Sequence, residues 1–376
     1  MHALRPDIDP NGLREFSVVY TDRALNHMSQ SFQQVMRDIA ALLRGAYNAK
    51  SAVVVPGGGT FAMEAVARQF ATGRRCLVLR NGWFSYRWTQ IFEAGGIPAS
   101  AAVLKAAQIA TGDQAPFAPA PIDQVVATIQ RDRPELVFAP HVETSSGMLL
   151  PDSYLRAVAD AVHAVGGLFV LDCIASGTMW VDMAATGVDV LVSAPQKGWS
   201  GPPCAGFVML SEAARAHLDT TTSSSFAADL RKWQSIMDTY ESGAHAYHAT
   251  MPTDSLRVAR NAMQETASHG FAAIRAAQER LGQGARALLE ARGFPSVAAE
   301  GFKAPGVVVS YTTDAEIQTG KRFMAQGLQI AAGVPLMCDE PAGFRTFRIG
   351  LFGLDKLTDV DGTLAALASA LDQVTG

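Results

Sequence analysis

Two apolar runs, each ending in one charged side chain, constrain this chain more than any other feature. Leu168-Phe-Val-Leu-Asp172 closes on a carboxylate. The run from Val188 to Val192 passes through Ser193 and Ala194 and arrives at Lys197, set between Gln196 and Gly198. Short apolar runs of this kind read as buried strands. In an α/β sheet, strands deliver functional groups at their carboxyl ends. Two such ends, 25 residues apart (197 − 172), bring Asp172 and Lys197 to one edge of one sheet.

A lysine alone after a strand would simply reach for solvent. At a buried strand end it loses hydration, which disfavours the ammonium form and lowers its pKa. A neutral amine can attack a carbonyl, so Schiff-base chemistry suits Lys197. An aspartate set against a pyridinium nitrogen, together with such a lysine, is the protein's half of pyridoxal-phosphate chemistry.

The rest of the chain supplies compatible parts. Ala52 to Pro56 reads as a strand, Gly57-Gly-Gly-Thr60 as a turn and Phe61 to Phe70 as a helix. Strand, glycine turn and helix start form an anion site, because backbone N–H groups point outward and the dipole favours negative charge. No Gly-Lys-Ser/Thr follows, so this is not a nucleotide P-loop. Arg75 to Leu79 is a strand that runs into the aromatic-rich junction Trp83-Phe-Ser-Tyr-Arg-Trp88, where Arg87 is expected to hold structure. Leu136 to His141 is a strand leading into Val142-Glu-Thr-Ser-Ser-Gly147, with His141 and Glu143 expected to brace that turn. Phe16 to Tyr20 reads as a short strand, Gln33 to Tyr47 as a helix and Leu256 to Gly293 as largely helical. Near the end, Arg348 interrupts an apolar strand, Thr346 to Gly350. A buried guanidinium needs an anion. Either Asp339 or Glu340 supplies it, or a substrate carboxylate does, gripped by a two-pronged fork.

Asp172-Cys-Ile-Ala-Ser176 followed by Ser193-Ala-Pro-Gln-Lys197 resembles the class V, fold type I, aminotransferases that use pyridoxal 5'-phosphate. The similarity is to the alanine–glyoxylate and serine–pyruvate group, with 2-aminoethylphosphonate–pyruvate aminotransferases as near relatives, and it runs from about Asn26 to about Gly353. It implies an α/β fold: a large domain, residues 15–260, on a mostly parallel sheet of the seven-stranded type, and a smaller α+β domain, residues 261–376 with 1–14. It carries the phosphate cup over to Gly58, Gly59 and Thr60, the ring-stacking aromatic to Phe84, a hydroxyl to Thr144 and an aliphatic ring contact to Ile174. Asp172 would pair with the ring nitrogen, Lys197 would form the imine with Gln196 beside it, and Arg348 would hold the substrate carboxylate. Gly243 to Pro252 is similar to the family's Tyr-His-x-Thr-x-Pro stretch, so Tyr247 and Thr250 would reach the neighbouring subunit's cofactor in a homodimer with shared sites. The implied reaction is ping-pong transamination from a small donor such as alanine or serine to a 2-oxo acid such as glyoxylate or pyruvate. An aminophosphonate donor, or a lyase or a desulfurase, the desulfurase with Cys204 or Cys338 as its thiolate, is the alternative. Met28 stands where the family has an arginine after His27, and the early Pro-Gly-Pro segment is missing, so the substrate side departs from the pattern.

Composition closes off other classes. A net charge of −4 across 376 residues offers no basic field for nucleic acid. No apolar stretch nears the roughly 20 residues that span a bilayer, and Met1 to Asp7 has no apolar signal core. The four cysteines (Cys76, Cys173, Cys204, Cys338) are scattered, which points to a reduced, cytoplasmic protein. His245 and His248 lie among helix breakers, so no metal site is expected.

Overall fold

The computed structural model describes residues 7–375. Seven strands form the main sheet: β1 (Ser51–Pro56), β2 (Arg75–Arg80), β3 (Ser100–Lys105), β4 (Leu136–Pro140), β5 (Leu168–Asp172), β6 (Val190–Ser193) and β7 (Ala205–Leu210). Their order is β1-β7-β6-β5-β4-β2-β3. β7 alone runs counter to its neighbours; all the others are parallel to one another. The expected mostly parallel sheet of seven strands is therefore present. Its central strands are buried along their length apart from the half-buried Leu168 that starts β5, as sheets covered on both faces require.

The functional consequence is that β1, β2, β4, β5 and β6 all end on one edge. Register fixes the level: Asp172 stands opposite Pro140 of β4 and Val192 of β6. Each strand end then feeds a loop or helix there. After β1 comes α2 (Gly59–Phe70), after β2 comes α3 (Trp83–Gly95), and α1 (Gln30–Tyr47) precedes β1. Helix α1 starts three residues before its expected position because Ser29 caps it, taking the Phe32 N–H at 3.1 Å. Its apolar stripe, Phe32, Val35, Ile39, Leu43 and Tyr47, joins the main core. The stretch expected to be helical from 256 to 293 is two helices, α4 (Thr253–Ser268) and α5 (Phe271–Glu290), broken at Gly270, whose φ of 83° favours glycine.

A second, antiparallel sheet holds β8 (Val307–Tyr311), β9 (Ala331–Ala332) and β10 (Thr346–Gly350) in the order β8-β10-β9. Arg348 sits mid-strand in β10, between Val309 and Ala331. This sheet has its own apolar clusters, built with α5 and the last helix, α6 (Val360–Thr375). Trp180 and Phe271 lie against one of these clusters and against the main core. The strand expected over Phe16 to Tyr20 does not form. Phe16 and Val18 are 85% and 102% exposed, so no strand partner covers them. Ile8 packs on the main core, and its carbonyl accepts from Arg257 at 2.6 Å.

Candidate active site

The loop after β6 is rigid for a steric reason. Gly198 lies so close to Gly177 that a Cβ there would be 2.0 Å from the Gly177 carbonyl oxygen. Gly201 N–H to Pro195 O at 2.8 Å and Ser200 N–H to Lys197 O at 3.1 Å close the turn. Lys197 is thereby aimed back over the sheet edge, with Nζ 4.9 Å from the centre of the Phe352 ring. Burial, reinforced by the Arg348 charge and partly opposed by Asp172, holds its pKa below that of an ordinary lysine.

Asp172 is buried at the end of β5. One oxygen, Oδ1, accepts the Ile174 N–H at 2.9 Å; Oδ2 has no partner among the described residues. Burial raises the carboxyl to about 7, with Glu143 adding to the effect and Arg87 and Lys197 reducing it. A buried carboxylate with one hydrogen bond needs a cation beside it.

Between these two groups lies a cavity of about 210 Å³, with Thr60, Phe84, Thr144, Asp172, Ile174, Gln196 and Lys197 all on its wall. The structure thus brings together seven of the side chains singled out from sequence. Gly58 and Gly59 stand just behind Thr60. Gly58 occupies the N-cap of α2 without a side-chain cap, so the first-turn N–H groups of the helix are open. Gly59 must lack a side chain, since a Cβ would sit 2.5 Å from Ile174 Cδ1. Gln196 Oε1 is buried without a partner. Arg348 is at the rim, its Cζ 5.6 Å from the Phe84 ring centre and its Nε bonded to Ala332 O at 2.8 Å. Neither protein carboxylate considered for it is available. Asp339 holds Lys105 at 2.7 Å, and Glu340 accepts the N–H groups of Leu336, Met337 and Cys338. Tyr247 and Thr250 lie outside this cavity, on an exposed stretch where their hydroxyls meet at 3.0 Å.

Glu143 and His141 brace the site, as expected. Glu143 is fully buried and accepts five hydrogen bonds: from the N–H groups of Phe84, Ser85 and Ser145 and the hydroxyls of Ser85 and Ser145. It therefore supplies the cap that Gly82 cannot give α3, and it ties the Phe84 helix to the Thr144 turn. His141 Nδ1 meets Ser176 Oγ at 2.7 Å, and burial pushes the imidazole down to about 3, so it stays neutral. Arg87 on the cavity wall, and Phe352 beside Lys197, escaped the sequence reading. Arg87, expected to hold structure, lines the cavity and reaches Thr60; its spacing of three from Phe84 on one helix was the available signal. Phe352 had no such signal. Cys204 and Cys338 are buried, and burial raises their thiols to about 11 and about 12, so neither is poised as a thiolate.

Comparison with known proteins agrees with this arrangement. The family described as Aminotransferase class-V matches residues 14–346. A 2-aminoethylphosphonate–pyruvate transaminase of Syntrophobacter fumaroxidans is 30% identical, over 88% of this chain and 84% of that protein. A protein of Synechococcus sp. described as the small subunit of a soluble hydrogenase is 28% identical, over 93% of this chain and 88% of its own length. The crystal structure of alanine–glyoxylate aminotransferase from Nostoc sp. superposes with a TM-score of 0.77, covering 92% of this chain and 88% of that one at 23% identity, which is a likeness of fold. With its sheet, its strand-end lysine and aspartate and a family match across most of its length, the chain belongs to the class-V aminotransferases.

Proposed function

We propose that this protein moves amino groups from a small donor to a 2-oxo acid, using pyridoxal 5'-phosphate held between Asp172 and Lys197. One observation carries this: a single cavity separates a buried carboxylate short of a cation from a lysine held below its ordinary pKa. When bound, the cofactor supplies an aldehyde that takes up amines and a protonated ring that accepts electrons. The residues present fit it. Gly58, Gly59 and Thr60 at the open start of α2 suit its phosphate. Phe84 and Ile174 offer apolar surfaces for its ring, Thr144 a hydroxyl and Gln196 an unpartnered amide oxygen.

The chain's own groups then have defined tasks. Lys197 Nζ, relieved of part of its proton affinity, would hold the cofactor at its aldehyde end and would carry the proton of the donor's α-carbon. Asp172 keeps the ring nitrogen protonated. Arg348, without a protein carboxylate, holds the substrate's carboxylate. Phe84 and Phe352 keep water from the reacting atoms. Tyr247 and Thr250, outside their own chain's cavity, serve the site of a second subunit in a homodimer. The exposed apolar side chains Leu13, Phe16, Phe61 and Phe226 favour such a partner.

Glyoxylate or pyruvate is the proposed acceptor, and alanine, serine or an aminophosphonate the donor, in keeping with the activity named for the Syntrophobacter relative. Desulfurase chemistry is disfavoured by the buried, protonated thiols of Cys204 and Cys338. Four free cysteines accord with a reducing, cytoplasmic setting, and no helix among the described residues is long and apolar enough to cross a membrane. The chain is also proposed to divide near residue 260 into units of 15–260 and 261–376, and the Ile8 contacts favour adding residues 7–14 to the larger one. A screen of amino donors against glyoxylate and pyruvate tests the function. Amine transfer with parallel-line kinetics is expected, together with visible absorbance that Lys197→Ala abolishes. Release of ammonia or sulfide without transfer would sink it.

A further inference from the structure

We infer that Arg87 is a phosphate-holding residue of the cofactor site, completing the cup that Gly58, Gly59 and Thr60 begin. This rests on the pyridoxal-phosphate reading above and adds to it a residue that the motif did not assign. Arg87 lies one turn after Phe84 on α3, and its Cζ stands 5.2 Å from the Phe84 ring centre. Its Nη1 donates to Thr60 Oγ1 at 3.0 Å. The guanidinium therefore bridges the aromatic wall and the start of α2.

Its surroundings are rich in donors, and the acceptors left open on the same wall, Asp172 Oδ2 and Gln196 Oε1, make no hydrogen bond to it. Arg87 makes no ion pair with any carboxylate among the described residues. Glu64, one turn along α2, is bound to Arg68 at 2.7 Å. Glu143 is taken up by five bonds at the start of α3. Because Thr60 Oγ1 accepts from Arg87, its own O–H proton is free to point elsewhere. Open helix N–H groups, a hydroxyl proton and a guanidinium thus converge on one spot. Donors gathered this way repel one another unless an anion with several acceptor oxygens sits among them. Arg348, over the same ring but bonded to β9 at the rim, is placed for a different anion.

The test uses the full-length chain freed of cofactor, with Arg87→Gln and Arg87→Lys. Dissociation constants are measured for pyridoxal phosphate, for pyridoxal, which has the same ring and aldehyde without the phosphate, and for inorganic phosphate as a competitor. Arg87→Gln should weaken pyridoxal phosphate about 10- to 100-fold, the span of a lost charge-assisted hydrogen bond. It should weaken inorganic phosphate as well and leave pyridoxal unchanged, while Arg87→Lys keeps the charge and falls between. Equal losses for pyridoxal and its phosphate would mean that Arg87 only props Phe84, and would overturn the inference. So would unchanged cofactor binding with a raised KM for an anionic substrate, which would turn Arg87 toward that substrate. Wild-type protein that takes up no pyridoxal phosphate overturns the underlying reading. Wild-type uptake with an unaffected Arg87→Gln overturns the Arg87 inference alone.

Discussion

Arg348 and Lys197 are coupled by repulsion. The guanidinium helps to hold the lysine below its ordinary pKa, second only to burial. Replacing Arg348 by Gln removes that charge, so the ammonium form becomes easier to keep and the lysine pKa rises. The pH profile for aldehyde capture by Lys197 should then shift to higher pH, and KM for carboxylate substrates should rise about 10- to 100-fold. A profile that stays put would detach Arg348 from the lysine. Asp172 gives a second, independent handle. An aspartate in the unfolded chain titrates near about 3.9, and burial raises Asp172 to about 7 in the folded protein. The protonated form is thus favoured by folding. Its stabilising contribution is complete below about pH 4 and lost as pH rises through about 7. Cofactor-free Asp172→Asn, which does not titrate there, should overtake the wild type in stability by up to about 4 kcal/mol at pH 8 and match it near pH 4. Denaturant melts that run parallel at both values would refute this. Asp172 and Lys197 were legible because two apolar runs each lead to one charge at the same sheet edge, and Arg348 because it interrupts an apolar strand. Arg87 was not. Spacing put it on the Phe84 side of a helix, but only the fold shows that Thr60, 27 residues earlier, lies across from it.

At the level of elements, the start of α3 is held by a side chain from elsewhere. Gly82 is its N-cap and has no side chain to offer. Glu143, 59 residues beyond Phe84, accepts the first-turn N–H groups in its place. Glu143→Gln would set an amide N–H₂ against donors, leaving at least one buried N–H without a partner. A loss of about 2 kcal/mol or more is expected in urea unfolding, with weaker cofactor binding as Phe84 loosens. Gly82→Ala should be at least as harmful, because its Cβ would lie 2.0 Å from Ser145 Oγ. Wild-type stability in both variants would show that α3 is secured otherwise. The strands that carry the site were readable from their apolar runs, since each is buried on both faces. The bracing was not, because a carboxylate's partner 59 residues away leaves no local pattern. Phe16 to Tyr20 shows the opposite failure: residues of the right type that pair with no strand and leave Phe16 and Val18 exposed.

On the scale of the whole molecule, one chain builds a cavity but leaves Tyr247 and Thr250 outside it, with Tyr247 52% exposed. Exposed hydroxyls that bond only each other contribute little to a fold, which leaves them open to the proposed partner subunit. If that is a second copy, each site draws Lys197 from one subunit and Tyr247 from the other. Two defective chains can then rescue each other. Lys197→Ala should be inactive, and a Tyr247→Ala, Thr250→Ala double variant should hold cofactor poorly. Co-expressed in equal amounts, half the dimers are mixed, and each mixed dimer has one intact site and one doubly damaged site. Activity should recover to about a quarter of the wild type. If every site is complete within its own chain, co-expression can give no more than half the activity of the double variant alone. Leu13, Phe16 and Val18, exposed on the same chain, would in that case need another partner to cover them.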